Sequence, residues 1–203
     1  MTLSGRLTGL FPMVHLLLLA ACLWAFLLRP GVLWAVTFLN LLYLVPPLLW
    51  QVYRAVYGQN KRIWIINRPQ RCDWWVAHQL QMTYAVFPAL EAMLRVIPGA
   101  YSAWLRLWGS HVGRGIYWTP NVELVDRHNL TLGDRIVFGH RIIMTGHAIV
   151  RKANGMMVLI DKGVTVGDDC FLGACSRYGM GVAVPAGTQV PYDAQMIPRR
   201  PHG

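Results

Sequence analysis

The sequence predicts a membrane-embedded α-helical hairpin, an interfacial segment, and then a β-solenoid of stacked strands. Three observations predict this order. Between Arg6 and Arg54 the chain carries one charged residue, Arg29. The stretch that follows is rich in tryptophan, and from about Leu132 to Pro191 apolar residues recur every six positions. With 55% hydrophobic and 14% charged residues, the 203-residue chain is too apolar for one ordinary soluble domain, so the apolar excess must be localised.

Two uncharged runs, residues 7–28 and residues 30–53, predict the helical hairpin. A bilayer core needs about 20 apolar residues per helix, so each run is long enough to span it. Arg29-Pro30-Gly31 supplies the turn between the runs. Residues 1–56 are therefore predicted to form a transmembrane or membrane-embedded hairpin. The alternative is a shallow hairpin that is kinked at Pro46-Pro47 and does not cross the bilayer.

A processed N-terminus is a further alternative. The stretch Leu19-Ala20-Ala21-Cys22 follows Arg6 and an apolar run, as a bacterial lipoprotein cleavage box does, and cleavage there would remove residues 1–21. The residues after Cys22 are apolar rather than a polar tether, and this favours the retained hairpin.

The basic residues near the ends of the two runs predict the orientation. Arg29 stands alone on one side, whereas the opposite side carries Arg6, Arg54, Lys61, Arg62, Arg68 and Arg71. By the positive-inside rule both ends of the hairpin are cytoplasmic, which predicts a bacterial inner-membrane protein with its solenoid on the cytoplasmic side. The four cysteines lack disulfide-type and metal-type spacing, as expected in a reducing compartment. The net charge of +10 predicts contact with anionic membrane lipids rather than with nucleic acid.

Residues 57–112 are predicted to form interfacial amphipathic helices and a linker. Polar residues are too frequent there for a comfortable span, and tryptophan rings favour head-group depth. Six of the nine tryptophans lie at the end of the second run or between it and the predicted solenoid: Trp50, Trp64, Trp74, Trp75, Trp104 and Trp108. Residues 74–90 carry no formal charge, so a third crossing there, which would move the solenoid to the opposite side, is the alternative.

A six-residue period predicts the solenoid. An apolar or aromatic residue recurs at every sixth position from Ile160, namely Ile160, Val166, Leu172, Tyr178, Val184 and Val190. A second run in the same phase is Leu132, Phe138 and Met144. The next residue is commonly glycine or proline, so each hexad reads as one short strand and a corner, and the coils must stack to bury their apolar faces. Residues 113–191 are predicted to form this solenoid, with residues 192–203 as a tail.

One interruption breaks the period. Val150 and Ile160 are ten residues apart rather than six, so four residues around Lys152 to Gly155 are expected to leave the wall as a loop or small hairpin. The Asn154-Gly155 pair suits the tight turn of such a hairpin.

Two tracts of the repeat, Leu132-Gly133-Asp134 to Phe138-Gly139 and Val166-Gly167-Asp168-Asp169 to Val184-Pro185-Ala186-Gly187, resemble the hexapeptide-repeat acyltransferases. The stretch from Arg106 to Pro120 resembles the entry region of membrane-associated members. The resemblance covers about residues 116–191. It implies a left-handed parallel β-helix with three hexads per coil, a homotrimer with sites between subunits, and a catalytic histidine near the loop of the solenoid. It also implies a donor, acetyl-CoA or another acyl-CoA or acyl carrier protein.

Acyl transfer from a thioester needs a base, and two histidines of the repeat are candidates. His147 comes just before the interruption, and His140 lies one hexad earlier. With three hexads per coil, His147 stacks above Asn129, and four inserted residues bring Asp169 into the next coil. Either neighbour would hold the imidazole in its productive tautomer. The alternative is that both histidines are ordinary outward corner residues.

Other polar residues receive weaker assignments. Asp126 and Glu123 lie on the entry coil and could orient a base, but acidic residues on a solenoid wall are usually solvated. Four basic residues are candidate contacts for the phosphates of coenzyme A: Arg151, Lys152, Lys162 and Arg177. The alternative is that these four side chains contact lipid head groups or solvent. No metal is expected, because His140 and His147 offer two of the three imidazoles that a histidine-ligated metal would need.

These features lead to a functional hypothesis. The chain is predicted to be a membrane-anchored acyltransferase, with acetyl-CoA-dependent O-acetyl transfer to a saccharide or lipid-linked envelope intermediate as the leading reaction. Two alternatives stay open. One is a non-catalytic membrane-attached solenoid scaffold, and the other is an N-acyltransferase that uses a longer acyl donor.

Overall fold

The computed structural model describes residues 3–58, 62–66 and 68–197. The chain forms two compact units. One combines residues 1–60 and 68–87, and the other combines residues 61–67 and 88–203. Lys61, which the predicted orientation uses, and the end of the tail from residue 198 lie outside the described residues.

The first unit consists of helices. They are α1 (Leu3–Gly9), α2 (Phe11–Leu28), α3 (Val32–Tyr43), α4 (Val45–Tyr57) and α5 (Asp73–Val86). The predicted turn at Arg29 to Gly31 separates α2 from α3. Pro46 and Pro47 lie in the first turn of α4, where a missing backbone N–H costs no helical hydrogen bond. The prolines therefore begin a new helix, and α3 and α4 meet at a bend of 48°.

Helix α2 is, within the described ranges, the one helix long and apolar enough to cross a membrane by itself, with a mean hydropathy of 2.2. Helices α3 and α4 are long and apolar enough to cross a membrane only when the bent pair is taken as one span. The His15 ring lies 2.9 Å from the Leu41 carbonyl oxygen, and the Cys22 thiol donates to the Trp34 carbonyl at 3.4 Å. Early α2 therefore meets late α3, and late α2 meets early α3, so the two helices run antiparallel.

Helix α5 packs inside this unit. Its Thr83 hydroxyl lies 2.8 Å from Nδ1 of His15, its Tyr84 hydroxyl donates to the Leu42 carbonyl, and its Trp75 indole donates to the Gly5 carbonyl at 3.0 Å. The sequence assigns this stretch to the interfacial segment, because its polar residues suggest exposure to water. In the structure many of those polar side chains are instead buried among the helices.

The second unit contains helices α6 (Ala89–Val96) and α7 (Ala100–Leu107) and all the strands. The strands are β1 (Ile63–Ile65), β2 (His111–Val112), β3 (Glu123–Leu124), β4 (Leu130–Leu132), β5 (Val137–Phe138), β6 (Ile143–Met144), β7 (His147–Arg151), β8 (Met157–Asp161), β9 (Val164–Val166), β10 (Phe171–Leu172), β11 (Arg177–Tyr178), β12 (Ala183–Val184), β13 (Gln189–Val190) and β14 (Gln195–Met196).

Three parallel sheets form the walls of the solenoid, which confirms the six-residue period. Their strand orders are β2-β4-β9-β12, β5-β10-β13 and β3-β6-β11-β14. The repeat's apolar positions point inward and are fully or almost fully buried: Val112, Leu124, Leu132, Phe138, Met144, Val166, Leu172, Tyr178, Val184 and Val190. Burying one such side chain contributes about 1.5–3 kcal/mol, so the stacked interior supplies much of the stability of this unit.

The interruption of the repeat is longer than predicted. Thr165 pairs with Ala183, three hexads further along the chain, which is one regular coil. Met144 pairs with Tyr178, almost six hexads further along, because the inserted residues lie between them. The insertion is therefore two whole hexads longer than the predicted four residues, and that prediction is wrong. A six-residue period fixes the length of an insertion only to within a multiple of six. Val150 and Ile160, which were counted as wall positions, lie in the inserted strands.

The insertion is an antiparallel hairpin of β7 and β8 with the predicted turn at its tip. Gly155 has φ +80° there, and the Asn154 side chain accepts the Met156 backbone N–H at 3.1 Å. Strand β1 pairs antiparallel with the other edge of β8, so the sheet order is β1-β8-β7. Sequence analysis did not predict this third strand.

Candidate functional site

The base of the inserted hairpin holds a histidine–carboxylate pair. His147 is the first residue of β7, and its Nδ1 lies 2.8 Å from Oδ2 and 2.9 Å from Oδ1 of Asp126. Asp126 is 2% exposed, and its Oδ2 also accepts the Gly146 backbone N–H at 2.7 Å. Because a carboxylate only accepts, Nδ1 of His147 is the donor of this contact, and in the neutral ring Nε2 is then the basic nitrogen. The His147 side chain retains 16% exposure, so its ring is reachable from solvent.

Local backbone geometry brings the two residues together. Asp126 follows β3 in a turn that the Asn129 N–H closes onto the Asp126 carbonyl at 3.1 Å. Gly146 precedes His147, and a Cβ at this position would lie 3.0 Å from the Gly163 Cα and 3.3 Å from the Asp126 Cβ. A glycine at position 146 therefore allows the coil below to approach closely enough for its carboxylate to reach the imidazole.

Asp169 does not lie beside His147, which corrects the predicted pairing. It occupies a corner with φ +55°, and both of its carboxylate oxygens accept from the guanidinium of Arg135, at 2.6 and 2.7 Å. These hydrogen bonds lower the pKa of the Asp169 carboxyl below its usual value and raise that of Arg135. The predicted register assumed a four-residue insertion, and the longer hairpin moves Asp169 onto Arg135, one coil away.

Asn129 lies near the pair but binds other groups. Its Oδ1 accepts from Arg62 at 3.0 Å, and its Nδ2 donates to Asp161 Oδ1 at 2.5 Å. Asp161 is the cross-strand partner of His147 in the hairpin, and its buried carboxylate lies 3.6 Å from Nε2 of the buried His128. Asn129 therefore fastens the base of the hairpin to the turn that carries Asp126, rather than touching the imidazole as predicted.

His140, the second candidate base, stands on an exposed corner. Its Nε2 lies 3.3 Å from the Asn121 amide nitrogen, and its backbone carbonyl accepts the Cys175 N–H at 2.7 Å. The part of the chain that the structure describes holds no group of three histidine, cysteine or acidic side chains placed to bind a metal ion.

The four basic residues predicted to meet a phosphate-bearing donor are all exposed. Arg151 ends β7 and Lys152 lies in the tip of the hairpin. Lys162 follows β8 directly, and its aliphatic stem packs near Gly181. Arg177 lies in β11, on the wall that also contains Ile143 and Gln195.

Sequence reasoning undervalued Asp126, which it considered and expected to be solvated. The register of the first coil carries the missing signal. Glu123 pairs with Ile143, so neighbouring coils are separated here by slightly more than three hexads. The residue that stacks next to His147 therefore precedes it by slightly more than three hexads, which is where Asp126 lies. Sequence reasoning also did not bring Asp161 and Arg62 to this site, because Asp161 is placed by the pairing of β7 with β8 and Arg62 by the strand β1.

Comparisons with known proteins give a sequence match and a structural match. No protein-family model matches the chain. A galactoside O-acetyltransferase of Escherichia coli (strain K12) is 32% identical over an alignment of 87 residues, and the match covers 32% of this chain. The chain spans 42% of the length of that relative. A hexapeptide-repeat-containing acetyltransferase of Vibrio cholerae superposes with a TM-score of 0.38 at 14% identity, covering 56% of this chain and 83% of that structure.

Proposed function

We propose that the repeat region of this chain is related to the hexapeptide-repeat acyltransferases and that the chain transfers an acyl group from a thioester to a hydroxyl. His147 is the general base of the proposed reaction and Asp126 orients it. The observation that carries the proposal is the pair of contacts at 2.8 and 2.9 Å between the Asp126 carboxylate and Nδ1 of His147. With Nδ1 donating to the carboxylate, Nε2 is the basic nitrogen of the neutral ring, as a base in acyl transfer requires.

The proposed reaction proceeds in two steps. The acceptor hydroxyl gives its proton to Nε2 of His147 while its oxygen attacks the thioester carbonyl carbon, which forms a tetrahedral oxyanion. The carbonyl then re-forms, the carbon–sulfur bond breaks, and the leaving thiolate takes the proton back from Nε2. The ester product and a free thiol result. Positive charge develops on the imidazolium in the first step, and the adjacent Asp126 carboxylate stabilises it.

Backbone N–H groups at the corners of the coils are proposed to bind the oxyanion. The Gly146 N–H is engaged with Asp126 and does not serve this role. The donor is proposed to be acetyl-CoA, with Arg151, Lys152, Lys162 and Arg177 as candidate contacts for its phosphates. Their exposure and positive charge are compatible with this assignment.

The acceptor is proposed to be a saccharide hydroxyl, free or lipid-linked. The Escherichia coli relative is named for a galactoside, so a galactoside is the natural first acceptor to test. Further elements of the proposal come from the family resemblance: left-handed coils, and a homotrimer in which a neighbouring subunit completes each site.

The helical unit is proposed to anchor the enzyme in a bacterial inner membrane as a hairpin, with the solenoid in the cytoplasm. The mean hydropathy of α2 supports this, as do the exposed apolar side chains of Leu17, Trp24 and Leu27, which are 62–64% exposed. An anchor keeps an enzyme near a membrane-resident acceptor, which raises the effective acceptor concentration. Retention of the full chain in membranes washed with alkaline carbonate would support the anchor, whereas extraction would count against it.

The proposal is tested by thiol release. The full chain in detergent is mixed with acetyl-CoA and a panel of saccharides that includes a galactoside, and free thiol is followed with time. His147→Gln is expected to lower the rate by about 10²–10⁴-fold, the usual contribution of a general base. His140→Gln, a matched change of an exposed corner histidine, is expected to retain activity. Equal rates for His147→Gln and the unmodified chain would refute the assignment of the base.

Two outcomes would favour the alternatives. If thiol release stays at background with every acceptor, the solenoid acts as a scaffold on the membrane. If the product carries an amide or a longer acyl group, mass spectrometry of the product identifies N-acyl transfer from a different donor.

A further inference from the structure

We propose that Arg127, held by the buried Glu91, is a positioning residue that fixes the Asp126 carboxylate against His147. This inference rests on the proposed function, because it assigns a task to groups that do not touch the reacting atoms. It links helix α6, which carries Glu91, to the turn that carries Asp126.

A buried ionic cluster surrounds Arg127. Its side chain is 5% exposed, that of Glu91 is 4% exposed, and Nε of Arg127 donates to Oε1 of Glu91. The second oxygen of Glu91 accepts from Arg95 at 3.2 Å. Arg95 also donates to the Tyr101 hydroxyl at 2.9 Å and to the Pro120 carbonyl. The Glu91 carboxylate is therefore shared between two guanidinium groups, of which only Arg127 belongs to the turn beside Asp126.

The backbone on both sides of Asp126 is fixed by the same region. Nη1 of Arg127 donates to the Val125 carbonyl at 3.4 Å. The Ser110 hydroxyl donates to the Arg127 carbonyl at 2.8 Å and accepts the Leu130 N–H at 2.8 Å. Residues 125, 127 and 130 thus each have a backbone atom that is held by a hydrogen bond to a side chain. The Asp126 side chain projects from the middle of this constrained turn.

Energetics favour a positioning role over a purely stabilising one. Burying two charges costs several kcal/mol of desolvation per ion, so replacing a buried ion pair with apolar residues of similar volume is often neutral or stabilising. Stability alone therefore does not explain a buried Glu91–Arg127 pair. Orientation does, because a general base works only when its geometry holds to within a fraction of an ångström.

The test compares two arginines of one cluster. Arg127→Met and Arg95→Met each remove one partner of Glu91, but the other contacts of Arg95, with Tyr101 and Pro120, lie outside the 125–130 turn. We expect Arg127→Met to lower kcat by about 10–100-fold with KM nearly unchanged, as for a misplaced catalytic group. Arg95→Met is expected to retain kcat within about twofold. Both variants are assayed at a temperature where thermal unfolding shows them folded.

A spectroscopic readout separates this inference from the proposed function. In histidine-labelled protein, the Nδ1–H signal of His147 is assigned by its disappearance in His147→Gln and reports the hydrogen bond to Asp126 directly. It is expected to shift upfield or broaden in Arg127→Met and to persist in Arg95→Met. This readout is informative even if no acceptor is found, so a failure of the proposed function leaves the positioning test intact.

A milder pair of variants applies if Arg127→Met does not fold. Ser110→Ala removes the hydroxyl that joins Arg127 and Leu130, whereas Ser102→Ala removes a hydroxyl of α7 that accepts from the Trp118 indole at 2.9 Å. Ser110→Ala is expected to lower kcat by about 3–10-fold and to alter the His147 signal, and Ser102→Ala to do neither. Identical kcat values and imidazole signals within both pairs would overturn the proposal.

Discussion

Replacing Asp126 with asparagine is the most informative single change at the candidate site. The carboxylate accepts two N–H groups, from the Gly146 backbone and from Nδ1 of His147. An asparagine side chain offers one oxygen and one NH2 group, so it matches only one of the two donors. The Gly146 N–H is fixed, whereas imidazole has two tautomers. The amide oxygen is therefore expected to face Gly146, and its NH2 group is expected to face an unprotonated Nδ1.

That arrangement moves the His147 proton to Nε2, where it blocks the base. Loss of a hydrogen bond to a charged group costs about 1.5–3 kcal/mol, which at about 1.36 kcal/mol per decade lowers kcat by about 10–150-fold. The tautomer change adds to this, and the corresponding substitution in a Ser-His-Asp triad costs about 10⁴-fold. Because both effects act here, we expect Asp126→Asn to lower kcat by about 10³–10⁴-fold with little change in KM.

The assay is steady-state thiol release at saturating acetyl-CoA, with circular dichroism to confirm that the variant is folded. Asp169→Asn is the matched control, because it makes the same chemical change at an exposed carboxylate that pairs with Arg135. It is expected to leave kcat within about twofold of the unmodified chain. A folded Asp126→Asn variant that loses less than tenfold in kcat would show that His147 does not depend on this carboxylate.

Three further predictions concern stability. Gly146→Ala places a Cβ 3.0 Å from the Gly163 Cα. The resulting overpacking is expected to lower the unfolding free energy by about 1–3 kcal/mol in denaturant titrations and to reduce activity as well. An unchanged unfolding free energy and activity would contradict the close approach. The pKa of the Asp169 carboxyl is lowered by its guanidinium partner, so its contribution is present above the ordinary value of 3.8 and is lost as pH falls through the lower folded-state pKa. The difference in Tm between the unmodified chain and Asp169→Asn is accordingly expected to shrink on acidification and not to grow. Leu132→Ala is expected to cost about 2–5 kcal/mol because its side chain is fully buried, whereas Thr131→Ala, on the outer face of the same strand, is expected to cost under about 0.5 kcal/mol.

The walls of the solenoid were predictable because burial imposes the period directly. Leu132, Val166 and Val184 stack in one sheet, and each was identified by its phase alone. A strand of two residues has one inward position, so misplacing it by one residue would expose the apolar side chain and bury a corner. The six-residue period of apolar residues in the sequence therefore directly marks the inward, buried positions of the walls.

The partner of His147 was not predictable in the same way. Its identity depends on how many residues separate neighbouring coils, and a period of six gives that number only to within a multiple of six. The inserted strands are themselves apolar, so Val150 and Ile160 imitate wall positions. Asp126 was also discounted because wall carboxylates are usually solvated, whereas this one is buried and bound by two N–H groups.

The burial of the charged residues of α6 was also not predictable from the sequence. Glu91 and Arg95 were assigned to an interfacial segment, where charged side chains reach water. In the structure they are buried, and the compensating Arg127 is far from Glu91 along the chain. A buried charge is tolerated when it is paired, and nothing local in the sequence identifies a partner at that separation.

The strand order β1-β8-β7 sets an order of events for folding. The hairpin that begins with His147 closes through a turn of a few residues and forms from neighbouring parts of the chain. Its third strand must instead close a far longer loop, since Ile63 pairs with Ile160. Closing that loop carries a larger entropic cost and has to wait until the hairpin has been synthesised. On the ribosome, strand β1 therefore emerges early and stays without its sheet partner until β8 has been made, after the first strands of the solenoid walls.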